Sequence, residues 1–247
     1  MRATSVEYRL RFLLHGLIFL IGFWPVWEPW LGLTDQTVWQ TGILWLGRAG
    51  WLSLSAASNL LLGLAIAFAV LGALLRVWGA AYVGAGVVKS PSMHGERLLA
   101  DGPYRHTRNP LYLGTLLHTF AVALIMPPAG AVFAIAAVWV LQVRLALAEE
   151  AFLAERFGQS YGEYRERVPR FLPSPKPLVQ SAGARPHWVQ AVLGEAYVVG
   201  AAVTLAGFGW EFNHFLLLRG ILISLGVALV VRAFLPRAPR ETANALA

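Results

Sequence analysis

Long apolar runs alternate with short polar segments along this chain. Runs close to the ~20 residues that cross a bilayer as a helix are expected at 12–31, 54–75, 110–126, 129–147, 189–209 and 213–234. Residues 77–88 are also apolar but too short to cross alone, so they should prolong the second run or form a re-entrant piece. Lipid offers the backbone no water, so every crossing must satisfy its hydrogen bonds as a helix. The predicted fold class is therefore all-α, a polytopic integral membrane protein with about six transmembrane helices plus a cytoplasmic amphipathic helix. Pro127-Pro128 should turn the third run into the fourth, and Gly209 through Asn213 the fifth into the sixth. The first run is too long, and too poor in a small-residue cleavage site, for a removable signal peptide. No internal repeat is evident.

Composition agrees with the pattern. Hydrophobic residues make up 57% and charged residues 13%, against roughly a quarter charged in soluble domains. The absence of Cys excludes disulfides, thiolate nucleophiles and Cys-ligated metals. The net charge of +7 first suggests a nucleic-acid binder. With the N-terminus inside, however, segments 1–11, 76–109, 144–188 and 232–247 hold eighteen of the twenty basic residues, all but Arg48 and Arg219. That bias fits the positive-inside rule and anionic lipid, not nucleic acid, and places both termini in the cytoplasm. A bacterial inner membrane is the expected location. Six of the ten Trp (Trp24, Trp27, Trp30, Trp39, Trp45 and Trp51) surround the first external loop, as an aromatic belt would.

Transport would call for ionisable positions deep in the spans. Only His15, His118 and Glu195 stand out there, each near a predicted span end, and a lone His in an apolar helix usually bonds a neighbour. Chemistry-capable side chains concentrate instead in segments 94–114 and 144–173. These flank a predicted hairpin of about forty residues that returns to its starting side, so the two should meet in one site. In the first, Asp101-Gly102-Pro103 and Asn109-Pro110 are turn signals, and Pro110 suits the first position of a helix. Tyr104, Arg105, His106, Arg108 and Tyr112 would then sit at the membrane boundary; the plainest reading makes them interfacial anchors and Asn109 a helix cap. In the second, Arg144 precedes Glu149-Glu150, and Phe157, Tyr161, Tyr164 and Val168 recur at near-helical spacing. A solvated face would explain the charges, yet two adjacent carboxylates this close to hydrocarbon call for a cation.

These residues carry a resemblance. Gly102-Pro103-Tyr104-Arg105 and Arg108-Asn109-Pro110-Leu111-Tyr112-Leu113-Gly114 resemble the signature of the isoprenylcysteine carboxyl methyltransferase and phospholipid methyltransferase superfamily. Glu149-Glu150, Phe157-Gly158, Tyr161, Tyr164 and the Val168–Pro173 stretch are similar to its acidic pair and C-terminal tail. The likeness covers roughly 76–173. It implies a methyltransferase core at 76–173 between N-terminal transmembrane helices (1–75) and a C-terminal transmembrane hairpin and tail (174–247).

The resemblance also implies an enzyme using S-adenosylmethionine without a metal. Its cofactor contacts carry over to Glu96, Arg97, Leu98, Leu99, Tyr104, Asn109, Pro110, Leu111, Tyr112, Glu149 and Glu150. Asn109 stands where the family has His; it can hydrogen-bond but cannot titrate near neutral pH. Arg144 or Arg108 would orient an anionic acceptor or headgroup, and His106 could accept a proton. The acceptor would be a lipophilic or membrane-embedded molecule (an isoprenoid carboxylate, a lipid amine or a small thiol) arriving from lipid. Two other readings are an NADPH-dependent sterol-type reductase, similar around Arg-x-Pro-x-Tyr, and a non-enzymatic membrane scaffold.

Overall fold

The computed structural model describes residues 2–24, 36–84, 88 and 100–235. Among these the regular structure is helical: α1 (Ser5–Arg9), α2 (Arg11–Gly22), α3 (Val38–Arg48), α4 (Leu54–Val83), α5 (Pro110–Ala123), α6 (Pro128–Phe157), α7 (Gln159–Arg167), α8 (Trp188–Gly194), α9 (Ala196–Phe208) and α10 (His214–Arg232). Short 3-10 turns occupy Gly102–Arg105 and Gly209–Glu211. Helices α4, α6 and α10 are long and apolar enough to cross a membrane. The α8 helix and the stretch from α9 to Glu211 pass that test together, but a 73° bend separates them. The apolar α2 and α5 are shorter, and the 14 residues of α5 rise only about 21 Å. Among the described residues three helices, or four with the bent pair, are thus long and apolar enough to cross, and the six crossings that the hydropathy pattern predicts are not all matched by helices of that length.

Local signals set most boundaries. Pro110 and Pro128 stand at the first position of α5 and α6, where the missing N–H removes no bond. The apolar stretch after residue 76 prolongs the second run as far as Val83 in α4. The turn between α5 and α6 is closed from outside, since the first N–H groups of α3, Val38 and Trp39, donate to the carbonyls of Met126 and Leu124 at 2.8 and 3.0 Å. Trp39 is consequently a core residue, 4% exposed, with its indole N–H on the Ser58 carbonyl. It leaves the predicted aromatic belt, while Trp24, Trp45 and Trp51 are exposed. Trp27 and Trp30 lie outside the described residues.

Small residues let the helices approach closely, as is usual where no water drives their packing. A Cβ on Gly72 of α4 would stand 2.8 Å from the Gly114 carbonyl of α5. One on Gly114 would stand 2.6 Å from the Arg76 Cγ, so this glycine makes the room through which Arg76 crosses α5. The α6 helix continues unbroken to Phe157 and ends at Gly158, whose φ of +52° suits glycine. There the chain folds into α7, the predicted amphipathic helix, and buries Tyr161, Tyr164 and Val168 against Leu153, Phe157 and Ala100.

Candidate active site

The segments 100–114 and 149–173 meet at one end of the bundle. Arg108 N–H donates to the Pro169 carbonyl at 2.9 Å, and the Tyr164 hydroxyl to the Tyr104 carbonyl at 2.8 Å. Residues 174–184 then lie across the Gly102–Arg105 turn. Ser174 N–H donates to the His106 carbonyl and Leu178 N–H to that of Arg105. The Asp101 carboxylate accepts from the Ser181 hydroxyl and the Ala182 and Ala184 N–H groups. Burial alone would raise the Asp101 pKa, but these donors hold it below its ordinary value.

The acidic pair divides between two surroundings. Glu150 accepts from Arg170 at 2.9 Å through both oxygens, from Arg108 at 3.3 Å, and from the Asn109 amide at 3.0 Å. Asn109 also donates to the Arg170 carbonyl, and its side chain makes no cap bond to α5. Asn109 thus ties a carboxylate to a loop. Arg108 is further held by the Arg165 and Val168 carbonyls.

Glu149 is turned about 100° around α6 from its neighbour. It accepts from the hydroxyls of Tyr8 and Tyr112. It also borders a cavity of about 90 Å³, which Gln142, Leu145 and Glu149 line from one face of α6. Opposite are Leu111, Tyr112 and Thr115 of α5, Arg11, Phe12 and His15 of α2, and Arg76 of α4. Tyr104, Arg108, Asn109, Pro110 and Val88 complete the wall. Burial first, then the Glu149 charge, holds the Tyr104 phenol well above its ordinary pKa, so it stays neutral. The cavity thus offers one carboxylate, neutral phenols and three guanidinium groups, those of Arg11, Arg76 and Arg108. Arg11 binds the Tyr8 and Val88 carbonyls and stacks over the Tyr8 ring. Arg76 pairs with Glu195 at 2.6 and 2.9 Å and reaches the Leu111 carbonyl and Thr115.

Of the residues singled out in the sequence, Tyr104, Arg108, Asn109, Pro110, Leu111, Tyr112 and Glu149 border this cavity. Glu150 stands behind the wall. Arg144 is held elsewhere by Glu7, at 2.7 to 3.2 Å, and its carbonyl accepts from Ala3 N–H, so it straps α1 to α6. His106 is turned to the Ser174 carbonyl. Glu96, Arg97, Leu98 and Leu99 lie outside the described residues. Sequence reasoning missed Tyr8, Arg11, Arg76, Thr115 and Gln142. Arg76 and Glu195 did leave a signal, since two opposite charges beside apolar runs each need a buried partner.

The sequence profile of the phospholipid methyltransferase family matches residues 60–160. The chain is 30% identical over 175 residues to methanethiol S-methyltransferase 2 of Bradyrhizobium diazoefficiens, covering 65% of this chain and 57% of that protein. It is 30% identical over 115 residues to protein-S-isoprenylcysteine O-methyltransferase of Schizosaccharomyces pombe, covering 44% of this chain and 48% of the relative. The chain thus spans about half the length of these curated relatives. No solved structure matches it significantly. Residues 60–160, which hold most of α4, the α5–α6 hairpin, both turn motifs and the acidic pair, are thus similar to the phospholipid methyltransferase family.

Proposed function

We propose that this chain moves a methyl group from S-adenosylmethionine to a lipophilic or small acceptor taken up from the membrane, at the cytoplasmic end of the bundle. The observation that carries this reading is the cavity at Glu149, inside the profile-matched segment, where a carboxylate that accepts from two phenols shares the lining with three guanidinium groups. When bound, the cofactor supplies an already activated methyl on a sulfonium, so alignment and exclusion of water are what remain for the protein. The donor set suits that molecule: Glu149 for its positive end, Arg11 for its carboxylate, Tyr104 and Tyr112 as walls. By size, about 90 Å³ admits one end of it, since pockets for drug-sized ligands run to roughly 300–1,000 Å³.

In this reading Glu149 binds the cation, while Glu150 and Asn109 hold the wall through Arg108 and Arg170. Arg108 shapes the acceptor side, and Arg144 acts through the α1 strap. Glu96, Arg97, Leu98 and Leu99 keep the cofactor contacts that the family resemblance gives them. The two relatives' names point to a thiol and an isoprenylcysteine as acceptors; both are compatible with an apolar cavity between membrane helices.

Isothermal titration of the detergent-purified chain with S-adenosylmethionine, S-adenosylhomocysteine and NADPH tests the proposal. Binding of the first two, with methyl label appearing in an incubated lipid extract, is expected. Binding of NADPH alone would replace it with a reductase, and binding of none with a scaffold.

A further inference from the structure

Beyond Glu149 the cavity continues toward the middle of the bundle, along polar groups that binding a methyl donor does not use. Gln142 lies seven residues earlier on the same face of α6, about 10 Å along the axis, and is 1% exposed. Its side-chain Nε2 lies 3.0 Å from the His15 Nε2. The other ring nitrogen, Nδ1, is within hydrogen-bond distance of the Arg11 carbonyl. A carbonyl oxygen only accepts, so Nδ1 carries the hydrogen and Nε2 presents its lone pair to the Gln142 amide. This fixes the ring tautomer and the amide orientation together. A flipped amide would set oxygen against the Nε2 lone pair.

What remains is the Gln142 Oε1, buried and without a hydrogen-bond partner. Donors nearby are committed: the Thr115 hydroxyl to the Leu111 carbonyl, and Arg76 to Glu195, the Leu111 carbonyl and Thr115. A buried amide oxygen without a donor has lost its water and gained nothing in return. At the border of a cavity, a ligand donor removes that deficit.

We infer that Gln142, positioned by His15, is the acceptor subsite, and that it selects a molecule whose nucleophilic atom carries a hydrogen, an uncharged thiol, over a carboxylate. This rests on the methyl-transfer reading above. A carboxylate has only lone pairs to offer and would meet Oε1 oxygen to oxygen. A neutral thiol gives its S–H to Oε1 and turns its free lone pairs toward the Glu149 end. Phe12 and Leu145 line the same space and suit an apolar body.

The test uses the whole chain in lipid nanodiscs and three matched probes: 1-hexanethiol, methyl hexyl sulfide, which lacks the S–H, and hexanoate. Titration should give the thiol about tenfold tighter binding than either other probe, the scale of one hydrogen bond. In Gln142→Leu, and in Gln142→Asn should the first variant not fold, the thiol and the sulfide should come within about twofold of each other. Hexanoate binding as tightly as the thiol, or a thiol preference that survives both substitutions, would overturn the subsite. S-adenosylhomocysteine titrated into the unaltered chain reads the donor half separately. Its failure to bind removes the methyl-transfer reading, while the thiol-to-sulfide ratio still decides for or against Gln142.

Discussion

Around Glu150, two guanidinium groups and an amide converge on one carboxylate. Around Glu149, one residue earlier, the partners are tyrosine hydroxyls and a cavity. The first arrangement neutralises its charge inside the protein and joins the Arg108 turn to the loop at Arg170. The second gives its carboxylate phenol donors rather than a direct ion pair and turns it to a cavity that Arg11, Arg76 and Arg108 also line. Their origins differ as well. Three of the four residues in the Glu150 knot fall within 60–160, whereas Tyr8, Arg11, Phe12 and His15 come from α1 and α2, outside the matched segment. The pair therefore combines a brace lying mostly within the profile-matched segment with a cavity-facing carboxylate whose surroundings the N-terminal helices complete.

The sharpest way to break this comparison is to remove each carboxylate separately. Glu150→Ala leaves Arg108 and Arg170 facing each other without their counter-charge and should lower stability by about 3 kcal/mol, read as thermal unfolding in detergent. A loss no larger than that of Glu149→Gln would end the distinction. Glu149→Gln should keep the fold within about 1 kcal/mol yet weaken S-adenosylhomocysteine binding by tenfold or more, the scale of a charged hydrogen bond. Unchanged affinity would take Glu149 out of the site.

Smaller effects belong to the straps on either side. Asp101→Asn should cost about 1–2 kcal/mol by loosening the 181–184 loop from its carboxylate. Because the folded Asp101 pKa is depressed below 3.8, its contribution is complete above that value and is lost as pH falls through the folded pKa. The wild type and the variant should thus converge in acid. Glu7→Gln should change least. The Arg144 pair is partly exposed, its side chains at 27% and 31%, and is screened by salt. Hydrogen bonding from Arg144 holds the Glu7 pKa at about 2 against an ordinary 4.5. Its contribution is therefore full above pH 4.5 and declines as the pH falls toward 2. A proteolysis assay of α1 across that range checks the sign.

Hydropathy and punctuation are local properties, and what depended on them was legible in the sequence. They marked the helical class, the starts of α5 and α6 at Pro110 and Pro128, and the hairpin that brings the described residues 100–114 and 149–173 to one end. The number of crossings was legible only in part. Apolar length does not reveal that a run bends at Glu195, where a buried pair with Arg76 accompanies the break between α8 and α9.

Only the tertiary structure decided which carboxylate of the pair faces the cavity, that Arg144 belongs to Glu7, and that His15 orients Gln142. Those contacts join residues 127 to 141 positions apart or depend on a 100° rotation between neighbours. A charge or an amide in an apolar run shows that it must find a partner. Which partner it finds depends on the helix face that packs against it, and that is set by how closely Gly72, Gly114 and the other small residues let the backbones approach.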